Sequence, residues 1–321
     1  MGIGNDNFDA ILSTTLKKYT PTLEDNVFTD YPLLDMFKRA DHVVKIDGGE
    51  QIVEPLLYEQ NSTAGSYAGY DNVDTTPQEG ITSAAFDWKQ FAATVAISGI
   101  EEIKNEGTSR VINLLEAKVK QAEMSISDSL NFALFGNGSG NSSKDFAGLQ
   151  LYVQADPTVA TAALRFPGGI DQNDALNAWW RNYTNTTTAA LTIAQLSTAY
   201  NSVSKGRDVP TNIFTTQALY EKYESLLQPA LRFSDNATAD AGFQNLLYKS
   251  APMVFDRDCT AGFVYFLNVK YLKLKCHSGT WFKNTPFVKP HGQDARYSQI
   301  LSAGNLVVSN RQRQGILTNK S

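Results

Sequence analysis

The chain has little of what enzymes, membrane proteins and nucleic-acid coats usually display. Among its 321 residues are two cysteines, Cys259 and Cys276, and three histidines, His42, His277 and His291. Two thiols cannot staple a chain of this length, and with no export signal in view they are expected free and reduced. Cys259, Cys276, His277 and His291 form a metal set only on paper, because zinc sites want paired ligands about two to four residues apart. No apolar run approaches the roughly 18–20 residues that span a bilayer, so no membrane partner is expected. The start, Met1-Gly2-Ile3-Gly4-Asn5-Asp6, has neither the basic nor the apolar region of a signal peptide. Positive charge is not in excess either. Lys and Arg number 28 against 33 Asp and Glu, a net of −5, which excludes a basic nucleic-acid coat.

Catalytic motifs are equally scarce. There is no G-x-S-x-G elbow and no H-E-x-x-H. Gly136-Asn137-Gly138-Ser139-Gly140 with Lys144 suggests a phosphate loop, but the glycines follow a helix instead of linking a strand to a helix N-terminus. Glu101-Glu102 and the pair Asp256, Asp258 read as helix-start and turn acids, not as an acid–base couple. No catalytic, metal-ligating or cofactor-binding residue is therefore assigned. No cofactor is expected, and the chain is not expected to be an enzyme.

What is present is a long amphipathic helix over residues 108–135. Val111, Leu115, Val119, Ala122, Ile126, Leu130 and Ala133 recur every three or four residues, with no Pro or Gly inside. Thr108 supplies an N-cap, and Gly136-Asn137-Gly138 ends the run. Before it, residues 1–40 read as an arm with two short helices. The first carries Phe8, Ile11, Leu12, Leu16 and Tyr19; the second covers 33–39 behind Pro32. Residues 43–46, 52–58, 81–88 and 91–97 read as strands. The middle pair suggests a ribbon going out and back, with a polar tip over 60–80. Such a ribbon is marginal alone and must lie on something.

Further on, residues 148–153 read as a strand and Trp179-Trp180 as an apolar anchor. From Thr192 the pattern turns α/β: a helix 193–203 ending at Lys205-Gly206, a strand 212–215, a helix capped by Thr216, and strands at 253–255, 263–267 and 271–275. The last two look like a hairpin over Asn268-Val269-Lys270. Strands at 281–288, 299–301 and 306–308 close the chain. Residues 191–275 thus look like a lobe inserted into the part built on the long helix.

Charge is distributed unevenly. Residues 41–98 hold nine acids against Lys45 and Lys89, whereas residues 281–321 hold six bases against Asp294 alone. Either both are simply solvated faces, or the acidic ribbon of one copy reaches basic surface of the next. In the second case the candidate contact residues are Glu54, Glu59, Asp71 and Asp74 on the ribbon, with Arg296, Arg311 and Arg313 as cations able to hold carboxylates bidentately.

In this order of parts the chain resembles the major capsid proteins of tailed bacteriophages, with their HK97-like α+β fold. Local phrases share the resemblance: Pro32-Leu33-Leu34-Asp35, Phe146-Ala147-Gly148-Leu149, Gly168-Gly169-Ile170-Asp171 and Val264-Tyr265-Phe266-Leu267-Asn268. The resemblance implies an N-arm (1–40), a long β-hairpin E-loop (41–98), a P-domain (99–190 with 276–321, its spine helix at 108–135) and an A-domain (191–275). It implies self-assembly through hexamers and pentamers into an icosahedral virion shell, built in the host bacterial cytoplasm around double-stranded DNA that it does not bind specifically. Portal, scaffolding and decoration proteins would be further partners. Some members weld subunits through a lysine on the E-loop. The 60–80 tip has no lysine, so no such crosslink is expected. With so short an arm, a separate scaffolding protein is expected. Encapsulin shells share the fold and stay open as an alternative. So does a soluble hydrolase or sugar-binding enzyme with a β-ribbon arm.

Overall fold

The computed structural model describes residues 31–39, 42–104, 114–227 and 246–321. The arm stripe from Phe8 to Tyr19, the Thr108 cap, Val111 and the side chain of Leu115 lie outside that description.

Helix α1 (Pro32–Arg39) starts at its proline and buries Leu33, Leu34 and Phe37. Strands β1 (Val43–Ile46), β2 (Ile52–Leu57), β3 (Ile81–Phe86) and β4 (Lys89–Ser98) follow. β2 and β3 pair antiparallel as the expected ribbon, Ile52 opposite Phe86 and Leu57 opposite Ile81. After helix α2 (Gly99–Lys104), the long helix α3 spans Leu114–Phe135. Along it Ala122, Ile126, Leu130 and Ala133 are buried at the expected spacing.

Residues 148–153 differ from expectation. They hold a one-turn helix, α4 (Leu149–Tyr152), not a strand. Gly148 lies on the carbonyl end of α3, where a Cβ would sit 2.4 Å from the Ala133 oxygen. Only a glycine lets the chain turn there, and the Gln150 amide then donates to the Gly136 carbonyl. Leu149 and Tyr152 both face inward, and the Tyr152 hydroxyl donates to the Leu306 carbonyl at 2.7 Å.

The remaining elements are β5 (Tyr183–Asn185), α5 (Ile193–Val203), β6 (Asn212–Thr215), α6 (Gln217–Leu226), β7 (Leu246–Tyr248), β8 (Ala251–Phe255), β9 (Val264–Leu267), β10 (Leu272–His277), β11 (Lys283–Asn284), β12 (Ala295–Val308) and β13 (Gly315–Leu317). Thr192 and Gln195 form a reciprocal capping box on α5, which ends at Val203 with Ser204 as its cap, before Lys205-Gly206.

Two sheets organise the molecule. In the first, β12 is central. β4 runs antiparallel along it from Ala295–Ser98 to Gly304–Lys89, and β11 and β10 pair with it too. β1 joins β10 in parallel. The second sheet has the order β5-β13-β9-β6-β8-β7, taking β5 and β13 from outside the 191–275 range. β9 and β10 are therefore not a hairpin. Both edges of β9 are occupied, by β6 and β13. Asn268 accepts from the Lys270 amide and turns the chain through a single 3-10 turn into the other sheet. The separate strands read at 299–301 and 306–308 are one continuous strand.

Helix α3 joins these sheets. Ala122 and Ile126 pack with Val95 and Ile300 of the first sheet. At the other end Phe135 meets Phe214 and Tyr265 of the second, with ring centroids 6.5 and 6.2 Å apart. Leu130→Ala is expected to cost about 2–5 kcal/mol in urea denaturation, because the truncated side chain leaves a cavity. Phe132→Ala, on the open face at 66% exposure, should cost less than about 0.5 kcal/mol.

Candidate functional site

In β2 the side chains alternate strictly, with Ile52, Glu54 and Leu56 inward and Val53, Pro55 and Leu57 outward. Glu54 therefore belongs to the subunit's own interior. Its carboxylate lies 2.5 Å from the Lys275 ammonium on β10, as an ion pair without an aligned hydrogen bond, both side chains being nearly covered. This corrects the assignment of Glu54 to a contact between copies. The period-two pattern contained the signal, because Glu54 falls between two apolar residues of the same face.

Arg311 is the second correction. It is fully buried, and its guanidinium donates to four neutral oxygens. These are the Tyr152 carbonyl (2.7 Å), Gln172 Oε1 (2.7 Å), the Trp180 carbonyl (2.9 Å) and Asn182 Oδ1 (3.3 Å). Burial pulls its pKa well below the usual guanidinium value. A residue so enclosed cannot meet a neighbour's ribbon. Nothing in its local spacing signals this, since its acceptors come from a stretch more than a hundred residues earlier.

The ribbon is also not bare on its inner face. Gly168, at φ +67°, lets the 167–169 turn close on Ala84 and Phe86 where a Cβ would stand 2.8 Å from the Ala84 methyl. Tyr58 stacks on Trp179 at 5.1 Å. The base of the ribbon thus packs on its own subunit, while the 60–80 tip remains solvent-exposed.

The other proposed contact residues stay at the surface. Glu59, Asp71 and Asp74 are exposed, and the Asp74 carboxylate, accepting from the Thr76 hydroxyl and amide, has its pKa lowered by those bonds. Arg296 is exposed near the start of β12. Arg313 is half-buried and donates to the Val203 carbonyl at 3.3 Å. Large apolar side chains stand open at both ends of the subunit: Leu57, Ile81 and Leu176 by the ribbon, and Ile100, Ile103 and Val288 at the far end of the first sheet.

One buried acid links helices α1 and α3 to the end of β8. Asp256 accepts from the Leu33 amide in the first turn of α1 (3.4 Å), from Asn131 Nδ2 on α3 (3.2 Å) and from the Asp258 amide (3.0 Å). Asn131 also donates to Asp258 at 2.8 Å, and Arg257 bridges Asp258 and Asp128. Desolvation, aided by the Asp258 charge, raises the pKa of Asp256. Among the described residues no group of His, Cys, Asp or Glu could hold a metal ion, and no helix is long and apolar enough to cross a membrane. Both cysteines are buried and free.

A carboxyl whose folded pKa is raised contributes stability below its unfolded value, near 3.8, and loses it as pH rises through the folded value. The urea midpoint of the wild type, measured against that of Asp256→Asn, should therefore rise as the pH is lowered through the folded value. A difference that falls on acidification would show that the ionised carboxylate is the favoured form.

A family model described as SU10 major capsid protein matches residues 89–321. Among solved structures, the capsid asymmetric unit of cyanophage A-1(L) aligns at a TM-score of 0.70 and 16% identity, over 94% of this chain and 96% of that one. Mycobacterium phage Adephagia aligns at 0.55 and 12% identity, over 100% and 99%. The SrpI encapsulin of Synechococcus elongatus PCC 7942 aligns at 0.60 and 10% identity, over 97% and 95%. At such identities these structures establish the fold, which is the HK97-like α+β fold. A search of curated proteins finds no match.

Proposed function

The chain belongs to the SU10 major capsid protein family, as a structural shell subunit and not an enzyme, and from that premise we propose how its copies assemble. Copies close as hexamers and pentamers into an icosahedral head around double-stranded DNA, in the cytoplasm of a bacterial host. Portal, scaffolding and decoration proteins complete the particle. The parts take the roles of N-arm (1–40), E-loop (41–98), P-domain (99–190 with 276–321) and A-domain (191–275). The family match over residues 89–321 carries this reading. It also favours a phage head over an encapsulin, whose similarity rests on fold alone.

Supporting it physically, the subunit leaves a polar, acidic tip and two apolar patches uncovered, as a unit designed for neighbours does. A net negative chain is suited to a wall that must not grip its packaged nucleic acid. Expressed protein, alone or with its scaffold, should form closed particles or rings visible by negative-stain microscopy. Compact monomers at every salt and protein concentration would contradict the shell. Particles boiled in denaturant should run as single chains, because no lysine lies on the tip and Lys89 already donates to the Ser143 carbonyl of its own subunit.

For the ribbon contact, Glu59, Asp71 and Asp74 of one copy are the acids, and Arg296, near the start of β12, and Arg313, past its end, are alternative cations of another copy. Each exposed pair contributes only about 0–1 kcal/mol, but the contact recurs at every interface of a shell. Reversing Asp71 and Asp74 to Lys should reduce particle yield and its salt dependence without lowering subunit stability. Adding Arg296→Glu should recover part of the yield. Unchanged yield in the first variant would remove this contact from the assembly.

A further inference from the structure

Between the ribbon base and the 169–179 stretch lies a groove of about 1060 Å³. Ile81, Leu176 and Trp179 give it apolar walls, and Glu59 and Glu79 stand on its rim. Leu176 is 85% exposed and Ile81 77%, so the walls face water in the isolated subunit. Gly169, on the groove floor, has open space where a Cβ would point. The third acid of the lining, Asp171, is already held bidentately by Arg165.

A surface of matching chemistry sits elsewhere on the same chain. Residues 286–289 read Pro-Phe-Val-Lys, with Phe287 and Val288 exposed and Lys289 paired with the exposed Asp294, at 2.8 Å. This loop is fixed at the start of β12, where Val288 bridges Tyr297. The groove lies toward the other end. Arg311, three residues past the end of β12, holds the Trp180 carbonyl next to Trp179. At about 3.3 Å per residue the 14-residue strand holds the two surfaces roughly 40 Å apart. They cannot meet within one chain.

We propose that the groove of one copy receives the 286–289 loop of a second copy, Phe287 and Val288 against Leu176, Ile81 and Trp179, and Lys289 between Glu59 and Glu79. The contact joins unlike surfaces, so each copy offers both a groove and a loop, and successive copies can continue into a ring or a curved sheet. Lys289 exchanges one solvated carboxylate for two rim acids beside apolar cover, where charge pairs are less screened. The proposal rests on the shell reading and adds to it which two surfaces meet.

The test uses Leu176→Cys and Val288→Cys in the full chain, both at exposed positions where substitution should cost little stability. The native thiols are buried. Particles co-assembled from the two single variants, oxidised with copper phenanthroline and run without reductant, should give a covalent dimer. The double variant should give a ladder, and each single variant alone neither. Particles that form at wild-type yield with no crosslink overturn the contact and leave the shell standing. A dimer from one single variant alone would place like against like and also overturns it. Wild-type protein that stays monomeric by sedimentation overturns both. As a second measurement, Phe287→Asp should lower the assembled fraction at least tenfold with the urea midpoint of the subunit unchanged; unaltered assembly counts against the loop.

Discussion

The structure depends on how the guanidinium of Arg311 is solvated. It sits in the interior with no carboxylate among its acceptors, held instead by two backbone carbonyls and two side-chain amides. Removing a charge from water is expensive, so such a group persists only where oxygens stand ready to accept, and here four hydrogen bonds are made. The requirement acts on the acceptors as much as on the arginine. Gln172 is also bound to Gln154 and the Leu164 carbonyl, and Asn182 to the Gln154 backbone. One cation thus fixes an otherwise irregular stretch, residues 149–182, against the end of β12. Trp180 lies under the guanidinium at 5.9 Å, and its neighbour Trp179 stacks on Tyr58 of the ribbon. The Arg311 network and the Tyr58–Trp179 stack thus link the ribbon to the end of β12.

Helix α3 performs the second fixing. Its middle packs on the first sheet and its end on the second, and Asn131, one turn before that end, reaches Asp256 just past the end of β8. Asp256 in turn receives the first turn of α1, where a carboxylate is favoured by the exposed amides and the helix dipole. That gain opposes the cost of burying the charge beside Asp258. The cost is the larger of the two, and the pKa of Asp256 is raised.

Periodicity makes much of this legible in the sequence. β1 and β6 fall where the sequence places them, and the buried stripe of α3 follows the expected spacing through Ala122, Ile126, Leu130 and Ala133. What sequence could not provide was long-range. The 148–153 segment alternates like a strand, but the carbonyl end of α3 takes Gly148 and winds the next residues into a helix. Asn268 reads as the turn of a hairpin, yet both edges of β9 are already taken. Glu54 was readable from its register and was misjudged because charge was weighed above alternation. Arg311 was not readable, since its partners are distant and neutral.

The same division explains what kind of object the subunit is. The buried charged groups, the Arg311 network and the Glu54–Lys275 ion pair, lie inside and set shape. The unsatisfied surfaces are apolar patches rimmed by exposed charge, each pair of which is weak and salt-sensitive. A shell of many copies needs that order of strengths. If single contacts were as strong as the interior, misplaced copies could not dissociate and closure would stall; if the interior were as soft as the contacts, the geometry set by each copy would not be reproduced by the next. Acid at the ribbon end and base at the start of β12, held apart by one long strand, give each copy a direction as well. Direction with a fixed angle turns weak heterologous contacts into a closed surface.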